Sequence, residues 1–85
     1  MRRGGSGSAR QAGRDVAIEH LTAAMNDAAG RAALLRGIRT EVENEEPHPD
    51  KPYFLLTIDF GVRNAEAVRQ WCAASIETLQ NLDEA

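Results

Sequence analysis

Residues 52–82, PYFLLTIDFGVRNAEAVRQWCAASIETLQNL, decide the fold. Two readings compete. As a strand, Tyr53 to Phe60 has aromatic and β-branched content and stops at Gly61, and Asn64 then caps a separate helix over 65–82. As one helix, Leu55, Ile58, Val62, Ala65, Arg69, Cys72, Ile76 and Leu79 recur in steps of three and four. That register passes Gly61 without slipping, and Asp59 and Arg63 form an acid-first pair four apart across the same glycine. A strand-to-helix boundary has no reason to preserve the phase. The periodicity favours one long helix, with the short strand 53–60 followed by a helix 65–82 as the alternative.

N-terminal to this stretch, residues 45–52 read EEPHPDKP. Three prolines here cannot continue a helix, so this is a turn. Asp50 is placed to cap the next helix, with Pro52 in its first turn, where a missing N–H costs nothing. Before the turn, residues 15–44 are rich in Ala, Leu, Arg and Glu, with Asp15 as a candidate N-cap. Their apolar stripe steps through Ala17, Leu21, Ala24, Ala28, Leu35, Ile38 and Val42, interrupted only by Arg31. Gly30 and Gly37 each weaken that helix by about 1 kcal/mol relative to Ala. Residues 1–14 hold four Gly and two Ser, with Met1 as their one large apolar residue, so their composition is that of a disordered basic tail or linker. The expected chain is therefore a single all-α domain over 15–85, folded as a two-helix antiparallel hairpin.

A two-helix hairpin hides one stripe per helix, and this chain has more to hide. Tyr53, Phe54, Leu55, Leu56, Ile58, Phe60 and Val62 place large apolar groups all around the start of the second helix. A helix apolar on every side must be covered on more than one. The expectation is a homodimer that completes a helical bundle, or else docking on a larger protein. The candidate interface or ligand-pocket residues are Phe54, Leu55, Ile58, Val62, Val68, Trp71, Cys72, Ile76 and Leu79. Trp71, the sole Trp, sits among Ala67, Val68, Ala73 and Ala74, whose small size leaves room for its ring against a facing helix. It reads as a core anchor, or as the wall of a pocket for a small apolar ligand.

Motifs for catalysis or metal binding fail on inspection. Asp59-Phe60-Gly61 spells a kinase tripeptide, but no glycine-rich loop, strand lysine or catalytic loop accompanies it. Glu45, Glu46, His48 and Asp50 crowd the turn without the spacing of an established metal site. His20 and Cys72 have no orienting residue or oxyanion site in view. The expectation is a non-catalytic protein without a cofactor.

Charge narrows the partners. The first 14 residues carry four Arg and no acid, while the remainder carries six bases against 13 acids. A body that acidic is a poor surface for phosphate backbones, so direct DNA binding is disfavoured. Cys72 is the sole cysteine, which excludes an intramolecular disulfide. No apolar run reaches the ~18 residues of a membrane span, and no secretory apolar region follows the N-terminal Arg residues. A cytoplasmic protein is expected.

Ala65, Glu66, Trp71, Ile76, Leu79 and Leu82 in the stretch Phe54 to Leu82, with the helix and turn over 34–52 before it, resemble the C-terminal region of PadR-type transcriptional regulators. The resemblance covers about half the chain. It implies a helix that packs in a dimer interface and a role as a dimerisation and effector-sensing module. PadR proteins also carry an N-terminal winged-helix domain that reads DNA, for which 85 residues leave no room. A dimerisation module without its reader is the expectation from this resemblance; a small accessory or antitoxin-like subunit is the alternative.

Overall fold

The computed structural model describes residues 4–82, and its two helices are α1 (Gly4–Glu43) and α2 (Lys51–Gln80). They pack antiparallel across the turn 44–50, and no strand occurs among the described residues. The stretch Tyr53 to Phe60 is helical, which removes the strand alternative. At about 1.5 Å per residue, 40 and 30 residues give rods of roughly 60 and 45 Å. The molecule is accordingly a rod, 71 × 18 × 14 Å.

The turn closes as its residues dictate. Asp50 occupies the N-cap position of α2 with a proline in the first turn, although its side chain makes no capping hydrogen bond. Instead, the Asp50 carbonyl accepts from the Tyr53 and Phe54 amides, at 3.0 and 3.1 Å. Lys51 does the larger job. Its Nζ donates to the Glu43 and Glu45 carbonyls at 3.1 and 2.7 Å, satisfying acceptors that the end of α1 leaves open.

α1 differs from expectation at its start. Asp15 lies inside the helix and caps nothing, since α1 runs from Gly4 through residue 14 without a break. Ala9, Arg10, Gln11 and Ala12 are good helix formers, and adding turns to an existing helix is far easier than nucleating one. Residues 1–3 of the composition-defined tail lie outside the described residues.

The seam between the helices is built from small residues. Its buried set is Ala28, Ala32, Ile58, Val62, Ala65 and Cys72. On α2 the inward positions are those of the predicted stripe, Leu55 through Leu79, with Gly61 set against Leu35 of α1. A Cβ added to Gly61 would lie 2.8 Å from Leu35 Cδ1. On α1 the predicted stripe needs correction at every second position. Ile18, Met25, Ala32 and Arg39 face inward, each one residue beyond Ala17, Ala24, Arg31 and Ile38 of the expected set. Ala24, Arg31 and Ile38 are exposed, and only Ala17 keeps partial cover. Leu21, Ala28, Leu35 and Val42 are common to both sets. The polar interruption is therefore Arg39, which reaches Asp59 across the seam at 3.8 Å, while Arg31 points outward to Asp27 at 3.3 Å.

Candidate functional site

The hairpin buries Ala28, Ala32 and Ala65 in its seam and exposes its aromatic rings. Tyr53, Phe54, Phe60 and Trp71, which are all of the aromatic residues, are 70, 62, 69 and 64% exposed. Leu34 and Leu56 are exposed to a similar degree. Scattered apolar residues on a surface are ordinary, but four rings and two leucines on so small a hairpin are not.

These side chains fall on a definite face. Tyr53, Leu56, Phe60, Ala67, Trp71 and Ala74 follow one another along α2 by helical steps, and all are exposed. Their stripe lies opposite the seam positions Ile58, Val62, Ala65 and Cys72, so α2 is apolar on two sides and α1 covers one. Phe54 lies off this stripe, near the turn. With Val42, Glu45, Glu46, Pro47, His48 and Lys51 it lines an open cavity of about 520 Å³.

The expected interface residues consequently divide. Ile58, Val62 and Cys72 are buried inside the hairpin, and Leu55, Val68, Ile76 and Leu79 are partly covered. Phe54 and Trp71 remain open. Trp71 anchors no core within one chain, because it lies on the face of α2 opposite the seam, beside the inward-facing Cys72. Tyr53, Leu56 and Phe60 were recognised as apolar excess but not assigned to the same face as Trp71. Their spacing to Trp71 in threes and fours was the available signal.

Arginine–carboxylate pairs fix the other flank of the seam. Glu66 accepts from Arg36 of α1 through Oε2 and from Arg69 of α2 through Oε1, the latter by Nε at 2.9 Å and Nη2 at 2.6 Å. One turn-pair earlier, Asp59 takes Arg63 at 2.9 Å and faces Arg39. Seven residues apart, the two acids present the same edge of α2 to arginines of α1 and so help set the register. The Arg36 hydrogen bond, then that of Arg69, holds the Glu66 carboxyl below its ordinary value of 4.5 against the opposing cost of burial.

A pH dependence follows. A carboxyl with a lowered folded-state pKa contributes its full stabilisation above the unfolded value and loses it as pH falls through the folded one. Thermal melts should therefore show the midpoint falling as pH drops below about 4.5. Replacing Glu66 with Gln should flatten part of that slope, and an unchanged slope would show that Glu66 does not contribute.

Among the described residues no three His, Cys, Asp or Glu side chains are grouped as for a metal ion, the Glu45, Glu46, His48 and Asp50 turn included. Asp59, Phe60 and Gly61 are ordinary α2 residues. His20 is exposed on α1, whereas the Cys72 thiol is 1% exposed. Among the described residues no helix is long and apolar enough to cross a membrane.

Comparison with known proteins returns one family. The model described as virulence activator alpha C-term matches residues 8–80 and takes in nearly all of α1, the turn and α2. No curated protein and no solved structure matches the chain. With nearly all of α1 and the whole of α2 inside the match, this chain belongs to the virulence activator alpha C-terminal family.

Proposed function

We propose that this chain is a non-catalytic, cytoplasmic dimerisation and effector-sensing module of a bacterial transcription regulator of PadR type. The observation that carries the reading is the second apolar face of α2, with Tyr53, Leu56, Phe60 and Trp71 exposed along it, which α1 leaves uncovered. Membership of a family named for activators supports the regulatory setting. A hairpin with so small a core is at the size where association normally supplies part of the stability. The buried Cys72 thiol, withdrawn from any solvent substrate, supports the non-catalytic part.

The effector part of the reading rests on the cavity at the turn. Val42, Pro47 and Phe54 offer it apolar lining, and Glu45, Glu46, His48 and Lys51 its polar lining. A small apolar ligand seated there would touch both helices at once, and so could bias how they splay.

Sedimentation equilibrium tests the association. The wild-type chain is expected at twice its 9.3 kDa. Trp71→Ala is expected to weaken self-association at least tenfold with helix content unchanged, since a large exposed ring in an interface carries on the order of 2 kcal/mol or more. A wild-type chain that is monomeric at every concentration overturns the reading and favours an accessory subunit that docks on a larger protein.

A further inference from the structure

We infer that the second copy binds through α2 alone, antiparallel to α2 of the first, with the twofold axis passing beside the bond between Arg63 and Asn64. The inference rests on the dimerisation reading and deepens it by assigning the register.

The stripe itself carries the argument, because it is self-complementary about that point. Tyr53, Leu56 and Phe60 lie on one side of it, and Ala74, Trp71 and Ala67 lie at the same distances on the other. Antiparallel pairing about this axis sets Phe60 over the partner's Ala67, Leu56 over the partner's Trp71 and Tyr53 over the partner's Ala74. Ring meets small residue at two of the three levels, and the indole meets the leucine at the third. Symmetry repeats each contact, which makes four levels of large-into-small packing and two of indole against leucine. A parallel pairing would instead stack Tyr53 on Tyr53, Phe60 on Phe60 and Trp71 on Trp71, leaving the alanine levels hollow.

Charge and area agree with this occupant. Thr57 and Gln70 flank the stripe, both uncharged and exposed, and this axis sets them opposite each other, while Arg63 beside the axis is held by Asp59 of its own helix at 2.9 Å. No acidic residue lies within the stripe, although the body of the chain is strongly acidic. Four large side chains exposed by about two thirds offer roughly 600 Å² per copy. Two copies then bury about 1,200 Å², the lower bound for a stable specific interface before the alanines and flanking side chains are added. The resulting assembly is a row of four helices, α1–α2–α2–α1, with the turns at opposite ends of the central pair.

The test exchanges knob and hole in the full chain. Phe60→Ala and Ala67→Phe are each expected to weaken the dimer about tenfold or more, and the double variant to regain affinity within a few-fold of wild type. Residues 60 and 67 are two turns apart on one helix, so recovery can come only from contact between copies. Asn64→Cys should be joined rapidly by a short bis-maleimide, whereas Leu34→Cys on α1 should not, with wild-type Cys72 as the background. Phe60→Glu should give a monomer of unchanged helix content. If the wild type dimerises but the double variant fails to recover, or Asn64→Cys does not link, the register is wrong and the dimer reading survives. If the wild type is monomeric, both fall.

Discussion

Val62→Asp is expected to abolish cooperative melting of this chain and most of its helical circular dichroism at 222 nm. Val62 is 7% exposed in the seam, beside the Gly61–Leu35 contact. Its replacement removes about 1.5–3 kcal/mol of apolar burial. The new carboxylate must also be desolvated in a seam whose inward-facing Arg39 is already turned to Asp59, at an effective cost of several kcal/mol. Domains of this size have roughly 5 kcal/mol in total, so the substitution exceeds what the hairpin can absorb. The arginines of the flank do not rescue it, because Arg36, Arg39, Arg63 and Arg69 are already engaged by Glu66 and Asp59. Phe60→Glu, two residues away, is the control. Phe60 is 69% exposed, and a charge there reaches water at once. Loss of helix in both variants would mean that the hairpin cannot stand without its partner; retention in both would mean that Val62 is not in the seam.

The contrast between Val62 and Phe60 shows where sequence reading succeeds. The α2 stripe was legible because its polar interruptions are few and its large residues sit at helical intervals, so the long helix and its inward face followed from phase alone. The α1 stripe was half legible. In a helix with Ala at 17, 23, 24, 28, 29, 32 and 33, adjacent stripes are almost equally apolar, and a one-residue rotation changes the hydropathy little. What selects between them is the partner helix. Turning Arg39 toward Asp59 and Ala32 into the seam leaves Ile38 and Arg31 outside. Size suggests a core anchor for Trp71, but within one chain the ring is 64% exposed, because its neighbour Cys72 takes the inward position and turns residue 71 to the opposite face.

Gly61 is the position at which closeness of the two helices can be measured. Within a helix, Gly is worse than Ala by about 0.5–1 kcal/mol, so an exposed helical glycine should be improved by Ala. Gly37 meets that condition, with nothing within 4 Å of an added Cβ. Gly37→Ala is therefore expected to stabilise by about that amount. At Gly61 the same propensity gain is opposed, because the added Cβ would stand 2.8 Å from Leu35 Cδ1. The end of a leucine side chain can swing away, so Gly61→Ala should gain less than Gly37→Ala. Gly61→Leu leaves Leu35 nowhere to go. It must push α1 outward beside Leu35, and overpacking of this kind costs about 1–3 kcal/mol. Urea melts at one fixed protein concentration compare the three variants, since association would otherwise shift the midpoints by mass action. The expected order of stability is Gly37→Ala, then Gly61→Ala, then Gly61→Leu well below wild type. Equal gains from the two alanine variants would place Gly61 away from α1 and open the seam that the small residues define.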